Sequence, residues 1–199
     1  MDISVTKNKA DAFLELHNAE EPLLLYNCWD IATAKISAAH FPAVATSSGV
    51  IAMTQGYEDG EKIAFSYVMS LYQRMVAAVD CPVTVDFEAG FSDDPREVAS
   101  NVEKLIDFGV VGINLEDSLM GGERGFVPPT FQADKIAEIR KMADKKGVPL
   151  YINARTDAFL LDASDPDACF EETIKRGAIY KEAGASGLFV PCLHDLDLI

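Results

Sequence analysis

The sequence predicts an α/β fold with a parallel sheet: a (β/α)8 (TIM) barrel of which about six βα units are present in this chain. Short β-rich apolar runs alternate with longer segments whose apolar residues recur every three or four positions. Polar residues stand at the C-terminal end of nearly every predicted strand, the face where barrel enzymes collect their chemistry. An open doubly wound sheet is the alternative, but its glycine-rich loop is missing from "NCWDIATA" after the first strand.

The predicted strands and helices follow the alternation in chain order. The strands are 23–29, 43–49, 83–88, 112–117, 149–157 and 187–192. One helix is predicted before them, near 6–18, and the others near 30–40, 62–79, 95–108, 131–146 and 165–183. Glycines in "DFG", "KKG" and "EAG" are predicted to end the helices that precede the last three strands.

Domain organisation follows from the same pattern. Neither a linker nor a low-complexity tract interrupts the alternation, so residues 1–199 are predicted to form one barrel domain. At roughly 30 residues per βα unit, the last two units of an eight-stranded barrel are missing. Either the chain is truncated or another chain completes the barrel.

The amino-acid composition argues against some classes of binding partner. The 199 residues are 49% hydrophobic and 25% charged, which is ordinary for a globular protein. Lys and Arg number 17 against 32 acidic residues, a net charge of −15, so neither nucleic acid nor an anionic membrane is expected as a partner. The N-terminus lacks the pattern of a signal peptide and no stretch is long enough to span a bilayer, which predicts a cytoplasmic location. Four cysteines without CxxC spacing are predicted to be reduced and mostly buried.

Acidic residues cluster at two predicted strand ends. Asp86 and Glu88 stand two apart in "VTVDFEAG", and Glu116 ends the next strand, so the three carboxylates should converge in a parallel barrel. Burying them unpaired costs several kcal/mol, and a divalent cation with oxygen ligands, such as Mg²⁺, removes that cost. Asp59 in "GYEDGE" is a further candidate ligand. The alternatives are an exposed strand end for the first pair and a turn residue for Asp59.

The fifth strand adds a cation to this face. Arg155 in "INARTDAF" is predicted to hold a substrate carboxylate through two parallel hydrogen bonds. A structural ion pair with Asp157 or Asp86 is the alternative. Other candidate pocket residues, which either contact the ligand or pack, are Trp29, Ser47, Ser48 and Tyr57. The implied ligand is small, anionic and oxygen-rich.

Five blocks, in this order, resemble the isocitrate lyase/phosphoenolpyruvate mutase superfamily: "NCWDIATA", "ATSSGVIAMTQGYEDGE", "VTVDFEAGFSDDPREV", "GVVGINLEDS" and "INARTDAFL". The resemblance implies a barrel of the phosphoenolpyruvate/pyruvate-binding type and a homo-oligomer, dimer or tetramer. It implies binding of Mg²⁺, with Mn²⁺ as an alternative, and of a 2-oxo acid. The metal shell it implies is Asp59, Asp86, Glu88 and Glu116, with Asp86 as direct ligand. The substrate-binding residues it implies are Trp29, Ser47, Ser48, Gly49 and Arg155.

The segment after the fourth strand departs from the well-known activities of that superfamily. Its isocitrate-type lyases carry a Lys-Lys-Cys-Gly-His-like segment, and its phosphonate mutases carry a lysine directly after the Glu-Asp pair. Here "EDSLMGGERGFVPP" has neither cysteine nor histidine, and Ser118 stands in place of the lysine. Its glycines predict a mobile lid, in which Glu123 and Arg124 either face the substrate or are solvated loop charges.

The predicted function is a Mg²⁺-dependent lyase that cleaves a carbon–carbon bond of a small 2-oxo acid such as oxaloacetate, by decarboxylation or a retro-aldol/Claisen reaction. Decarboxylation needs only an electron sink for the enolate, whereas other cleavages also need a positioned acid or base. Arg155, Glu116 and Arg124 are the predicted catalytic residues. The alternatives are a phosphonopyruvate-type P–C mutase or hydrolase, and a non-catalytic paralogue that binds a 2-oxo acid.

Overall fold

The computed structural model describes residues 2–118, 125–161, 164–195 and 197–198. One six-stranded sheet has the order β1-β2-β3-β4-β5-β6, and every neighbouring pair is parallel. The strands are β1 Tyr26–Cys28, β2 Val44–Thr46, β3 Val83–Asp86, β4 Gly112–Glu116, β5 Tyr151–Arg155 and β6 Gly187–Phe189. A sequential parallel order is that of a (β/α) barrel, whereas a doubly wound sheet reverses its order at a switch point. The predicted fold class is confirmed.

The helices alternate with these strands. They are α1 Ile3–His17, α2 Ile31–Ala38, α3 Ser48–Thr54, α4 Phe65–Ala77, α5 Pro95–Phe108, α6 Pro129–Lys146, α7 Ala158–Leu161 and α8 Pro166–Glu182. Six of them were predicted, whereas α3 and α7 were missed. Helices of seven and four residues are too short to show a helical period. In the described residues, no helix combines the length and apolar character needed to cross a membrane.

Local signals explain where the helices around the site begin and end. The Asp94 side chain caps α5 by accepting the N–H of Arg96 at 2.8 Å, and Pro95 occupies the first turn. Gly109 and Gly147 end α5 and α6 with φ of 104° and 69°, a left-handed conformation that glycine adopts without a Cβ penalty. These two predicted helix stops are therefore confirmed.

The core lies on both sides of the central strands. All four residues of β3 are buried, and Val85, Ile113 and Ile152 on three successive strands are at most 1% exposed. Strands buried on both faces are what a parallel sheet covered by helices requires. The strands at the two ends of the order are less covered, because Tyr26 is 47% and Leu188 39% exposed.

The four cysteines, all within the described residues, are in the thiol form. Cys28 and Cys169 are buried, and Cys81 is partly so. The prediction of reduced, mostly buried thiols holds for these three. It is wrong for Cys192, which is exposed near the end of the described chain.

Candidate active site

The predicted acidic residues stand at the C-terminal ends of neighbouring strands. Asp86 ends β3, Glu88 follows two residues later, and Glu116 ends β4. Their exposures are 9%, 8% and 8%, which removes the alternative of an exposed strand end. Strand register places Glu116 beside Arg155, the last residue of β5. The sheet therefore brings carboxylates and a guanidinium together at one buried edge.

The two carboxylate oxygens of Asp86 differ in their hydrogen bonds. Its Oδ2 accepts the N–H of Ser48 at 3.1 Å and the hydroxyl of Ser48 at 2.6 Å. Its Oδ1 is buried and has no hydrogen-bond partner among the described residues. Burial raises the pKa of Asp86, while the Ser48 bonds oppose this shift. A buried carboxylate oxygen without a donor fits the ligand of a hard cation.

The Glu88 carboxylate is held by the loop between α3 and α4. Its φ is +49°, and its Oε2 accepts the N–H groups of Gly60 at 3.1 Å and Glu61 at 2.5 Å. Burial raises the pKa of Glu88 to about 7, and the charges of Asp59, Glu61 and Asp86 act in the same direction. These three acids are thus close enough to Glu88 to disfavour its ionised form.

The segment after β2 forms helix α3, and Asp59 in the following loop lies against the start of this helix. The Ser47 side chain caps α3 by accepting the N–H of Val50 at 3.4 Å, so both serines of "TSSG" are engaged within the protein. A Cβ on Gly49 would lie 3.0 Å from Oδ2 of Asp59, so the absence of a side chain lets that carboxylate approach α3. Asp59 itself is exposed. Sequence reasoning placed these residues near one another but missed the helix.

The two aromatic candidates are placed differently. Trp29 is half-buried and packs against the main hydrophobic core, which fits the packing alternative. Tyr57 is 52% exposed in the loop before Asp59.

Arg155 is engaged by two carboxylates. Its Nε and Nη2 donate to the two oxygens of Asp157 at 2.6 and 3.1 Å, and its Nη1 lies 3.0 Å from Oε2 of Glu116. The ion pair with Asp157 was one predicted alternative, whereas the pair with Glu116 was not anticipated. Within the described part of the chain, Nε and Nη2 each donate one N–H group to Asp157, while the contact of Nη1 with Glu116 is an ion pair. Burial raises the pKa of Glu116 to about 8, although Arg155 opposes the shift.

A second buried network, missed from the sequence, lies directly behind this site. Asp117 is 0% exposed, and its Oδ2 accepts the hydroxyl of Tyr180 at 2.6 Å and Nη1 of Arg176 at 3.0 Å. Arg176 also donates to the carbonyl of Val127 at 3.0 Å. The i, i+4 spacing of Arg176 and Tyr180 on α8 was the available signal. This network anchors the residues on both sides of segment 119–124 to α8.

Ser118 connects the two networks. Its hydroxyl donates to Oδ2 of Asp157 at 2.5 Å, and the backbone N–H of Asp157 donates to Oδ1 of Asp117 at 3.3 Å. The predicted catalytic Arg124 lies outside the described residues, as do Glu123 and the first two glycines of the predicted lid.

The predicted metal shell is not a closed cage of protein ligands. Among the described side chains, no group of three or more His, Cys, Asp or Glu is arranged to hold a metal ion by itself. Mg²⁺ usually keeps several waters and takes only one or two protein carboxylates, so Asp86 as direct ligand with the other acids further out still fits.

An apolar groove lies between α8 and β6, away from these carboxylates. It measures about 570 Å³, and its lining includes Ile174, Gly177 and Leu188 but no acidic residue. The buried carboxylates Asp86, Glu88 and Glu116 lie at the strand ends instead, which makes those ends the candidate site.

The fold and these strand ends define a barrel-type α/β protein with an acidic site at the C-terminal face of its sheet. The sequence pattern of the phosphoenolpyruvate phosphomutase family matches residues 13–199. The chain therefore belongs to that family, and the resemblance noted in its sequence is confirmed.

Relatives with assigned activities differ in the reactions they catalyse. An uncharacterized protein of Mycobacterium tuberculosis is 33% identical over 187 residues, covering 94% of this chain and 67% of that protein. The 2-methylisocitrate lyase of Escherichia coli is 29% identical (76% and 50% covered), and the phosphoenolpyruvate phosphomutase of Streptomyces hygroscopicus is 27% identical (95% and 61% covered). The chain thus spans about half to two thirds of the length of these relatives.

Solved structures that resemble this chain also belong to proteins named for different activities. A putative phosphonomutase from Burkholderia cenocepacia has a TM-score of 0.91 at 39% identity, covering 96% of this chain and 78% of that one. Phosphonopyruvate hydrolase with oxalate and Mg²⁺ scores 0.80 (92% and 62% covered), and oxaloacetate acetylhydrolase with its product oxalate scores 0.83 (97% and 66% covered), each at 19% identity. Proteins named as mutases and hydrolases thus share this fold.

Proposed function

We propose that the protein is a Mg²⁺-dependent lyase that cleaves a carbon–carbon bond of a small 2-oxo acid such as oxaloacetate. The observation that carries this proposal is the carboxylate of Asp86. Ser48 fixes one of its oxygens, and the other is buried without a donor among the described residues. Such an oxygen is unfavourable unless a cation binds to it.

The acids around Asp86 suit a hydrated divalent ion. Asp86 would bind Mg²⁺ or Mn²⁺ directly, and Asp59, Glu88 and Glu116 would contribute negative charge around it. When bound, the metal would act as a Lewis acid that stabilises negative charge developing on the 2-oxo group. Ser48 keeps Asp86 oriented, and the loop N–H groups at 60 and 61 keep Glu88 oriented.

Arg155 is proposed to bind the carboxylate of the substrate. Its bonds to Asp157 and Glu116 fix the guanidinium plane, so little side-chain entropy is lost when the substrate binds. The guanidinium N–H groups that are not bonded to Asp157 can donate to a carboxylate oxygen of the substrate. Oxalate, present in the two solved structures named above, is a small dicarboxylate of this kind.

Ser118 favours carbon–carbon over phosphorus–carbon chemistry. Its hydroxyl is bonded to Asp157, and serine carries no positive charge at the position where the superfamily's phosphonate mutases have a lysine. Loss of carbon dioxide from a 2-oxo dicarboxylate requires no proton donor at the leaving group. A P–C mutase or hydrolase is the second candidate, because the Burkholderia structure at 39% identity is described as a putative phosphonomutase.

The test is turnover of oxaloacetate and of phosphonopyruvate in parallel. We expect oxaloacetate to be consumed in the presence of Mg²⁺ or Mn²⁺ and the activity to disappear in excess chelator. Conversion of phosphonopyruvate alone would replace the proposal with the second candidate. Saturable binding of a 2-oxo acid without any turnover would show a binding paralogue, and full activity in chelator would refute the metal assignment.

Binding of Mg²⁺ should depend on pH in a defined direction. The pKa of Glu88 is raised from 4.5 to about 7, so the metal-free folded protein retains a proton that the unfolded chain has released above pH 4.5. Stability of the metal-free protein should therefore fall as pH rises from about 4.5 to 7. Because that proton competes with the cation, the Mg²⁺ affinity should rise through the same range. Melting temperatures at pH 5.5 and 7.5, with and without Mg²⁺, check this prediction. The increase in melting temperature that Mg²⁺ causes should be larger at pH 7.5.

The predicted assembly and location stay predictions. We propose a cytoplasmic homo-oligomer, dimer or tetramer, and light scattering of the purified protein measures its size directly.

A further inference from the structure

Two loops at the C-terminal face of the sheet contain backbone that is unfavourable for residues with a Cβ. Glu61 has a φ of 60°, Glu88 of 49° and Phe91 of 59°. Non-glycine residues adopt this left-handed region seldom, and they stay in it only when neighbouring groups hold them there. The three residues lie in two loops that contact each other, so the same bonds can hold all of them.

Glu61 makes the bonds between the two loops. Its backbone N–H donates to Oε2 of Glu88 at 2.5 Å, and its own Oε1 accepts the backbone N–H of Phe91 at 2.6 Å. The residue therefore binds both ends of the turn formed by residues 88–91. The loop between α3 and α4, which contains Asp59, is thereby joined to the turn that begins with Glu88.

Two helices hold the middle of the same turn. Lys135 on α6 is 2% exposed and donates its Nζ to the carbonyl of Ala89 at 2.9 Å. Asn101 on α5 is 5% exposed and donates its Nδ2 to the carbonyl of Gly90 at 3.2 Å. The carbonyls of the turn are thus fixed by α5 and α6, whereas the Phe91 N–H donates to Glu61 in the neighbouring loop.

We propose that Glu61 is a positioning residue that sets the orientation of the Glu88 carboxylate and couples it to Asp59. Its side-chain bond is to backbone, so it acts through its neighbours rather than on the ion or substrate. This inference rests on the proposed Mg²⁺ site. In this inference the two loops act together: Glu61 keeps the loop of Asp59 and the turn of Glu88 in one arrangement around the ion.

The inferred role requires at position 61 a hydrogen-bond acceptor on a side chain long enough to meet the Phe91 N–H. Glutamine preserves the length of the side chain and a carbonyl oxygen that can accept the Phe91 N–H. Aspartate preserves the charge but withdraws the acceptor by one methylene. Alanine removes the acceptor. An acceptor role therefore predicts that the glutamine variant resembles the parent, whereas a role of charge alone predicts that the aspartate variant does.

The experiment is calorimetric titration of the full chain with Mg²⁺. We expect Glu61→Ala and Glu61→Asp to weaken Mg²⁺ binding by about tenfold, in the range typical of residues that orient metal ligands. Glu61→Gln should bind within about threefold of the parent. The matched control is Glu58→Ala, which removes an exposed acid from the same loop and should leave the affinity unchanged.

The outcomes separate this inference from the proposed function. If the parent binds Mg²⁺ and both Glu61→Ala and Glu61→Asp bind it equally well, the positioning role is refuted and the metal site stands. If the parent does not bind Mg²⁺, both are refuted. Should Glu61→Ala fail to fold, Glu61→Asp decides, with circular dichroism to show that it is folded. Equal weakening by Glu61→Gln and Glu61→Ala would also overturn the acceptor role.

Discussion

Asp86→Asn is expected to abolish Mg²⁺ binding, and turnover with it, while leaving the metal-free protein at least as stable as the parent. The amide keeps an oxygen that can accept the Ser48 hydroxyl, now 2.6 Å from Oδ2 of Asp86, but it removes the charge that would attract the cation. Because burial raises the pKa of Asp86, the ionised form is unfavourable in the metal-free fold, and a neutral side chain relieves this. A loss of Mg²⁺ affinity of more than about a hundredfold is expected, above the range typical of residues that only orient ligands.

Calorimetry with Mg²⁺ and thermal melting in chelator measure the two halves of this expectation. Asp80→Asn is the matched control, because Asp80 is an exposed acid just before the other end of the same strand. It should alter neither the affinity nor the turnover. Unchanged Mg²⁺ affinity in Asp86→Asn would refute Asp86 as the direct ligand. A large drop in the melting temperature of the metal-free variant would instead make its carboxylate a structural group.

Arg155→Lys should lower kcat/KM by about ten- to a hundredfold, the loss expected when ~1.5–3 kcal/mol of charge-assisted hydrogen bonding disappears. Lysine keeps the positive charge between Glu116 and Asp157, so the fold should survive. It cannot form the planar fork that now binds both oxygens of Asp157, nor offer two further parallel N–H groups to a substrate. Mg²⁺ affinity should change much less than kcat/KM.

Arg140→Lys provides the matched control for this variant. Arg140 donates to the carbonyls of Gly184 and Leu150 at 3.0 and 2.9 Å, at the opposite end of β5. The same substitution there should reduce stability without changing kcat/KM. If Arg155→Lys unfolds with its Mg²⁺ affinity intact, or retains full kcat/KM, then Arg155 serves only as a structural ion pair.

The sheet and the longer helices could be predicted because their signals are local. Apolar periods locate α5 and α6, and Gly109 and Gly147 mark their ends. Grouping of the acids at one edge also follows from the sequence, since parallel strands end on the same side. Helix α3 could not be predicted in this way. Its cap Ser47 and first residue Ser48 are the polar residues that a ligand-binding segment would also use.

The partners of the site residues depend on distant parts of the chain. Pairing of Arg155 with Glu116 requires the register between β4 and β5, which the sequence does not specify. Arg176 lies 59 residues from Asp117, so only the folded chain reveals their contact. The link from Glu61 to Phe91 spans 30 residues and two loops, where no period exists to guide a prediction.

The adjacent residues Glu116 and Asp117 have consequences for how such a protein can evolve. The first engages Arg155 at the site, whereas the second engages Arg176 in the network behind it. Successive residues of an extended chain point in opposite directions, so one dipeptide contributes one side chain to the proposed active site and the other to the network behind it. A substitution of Glu116 would therefore change the proposed site, whereas a substitution of Asp117 would disrupt the network behind it. A one-residue insertion or deletion in β4 would exchange the two sides and lose both at once.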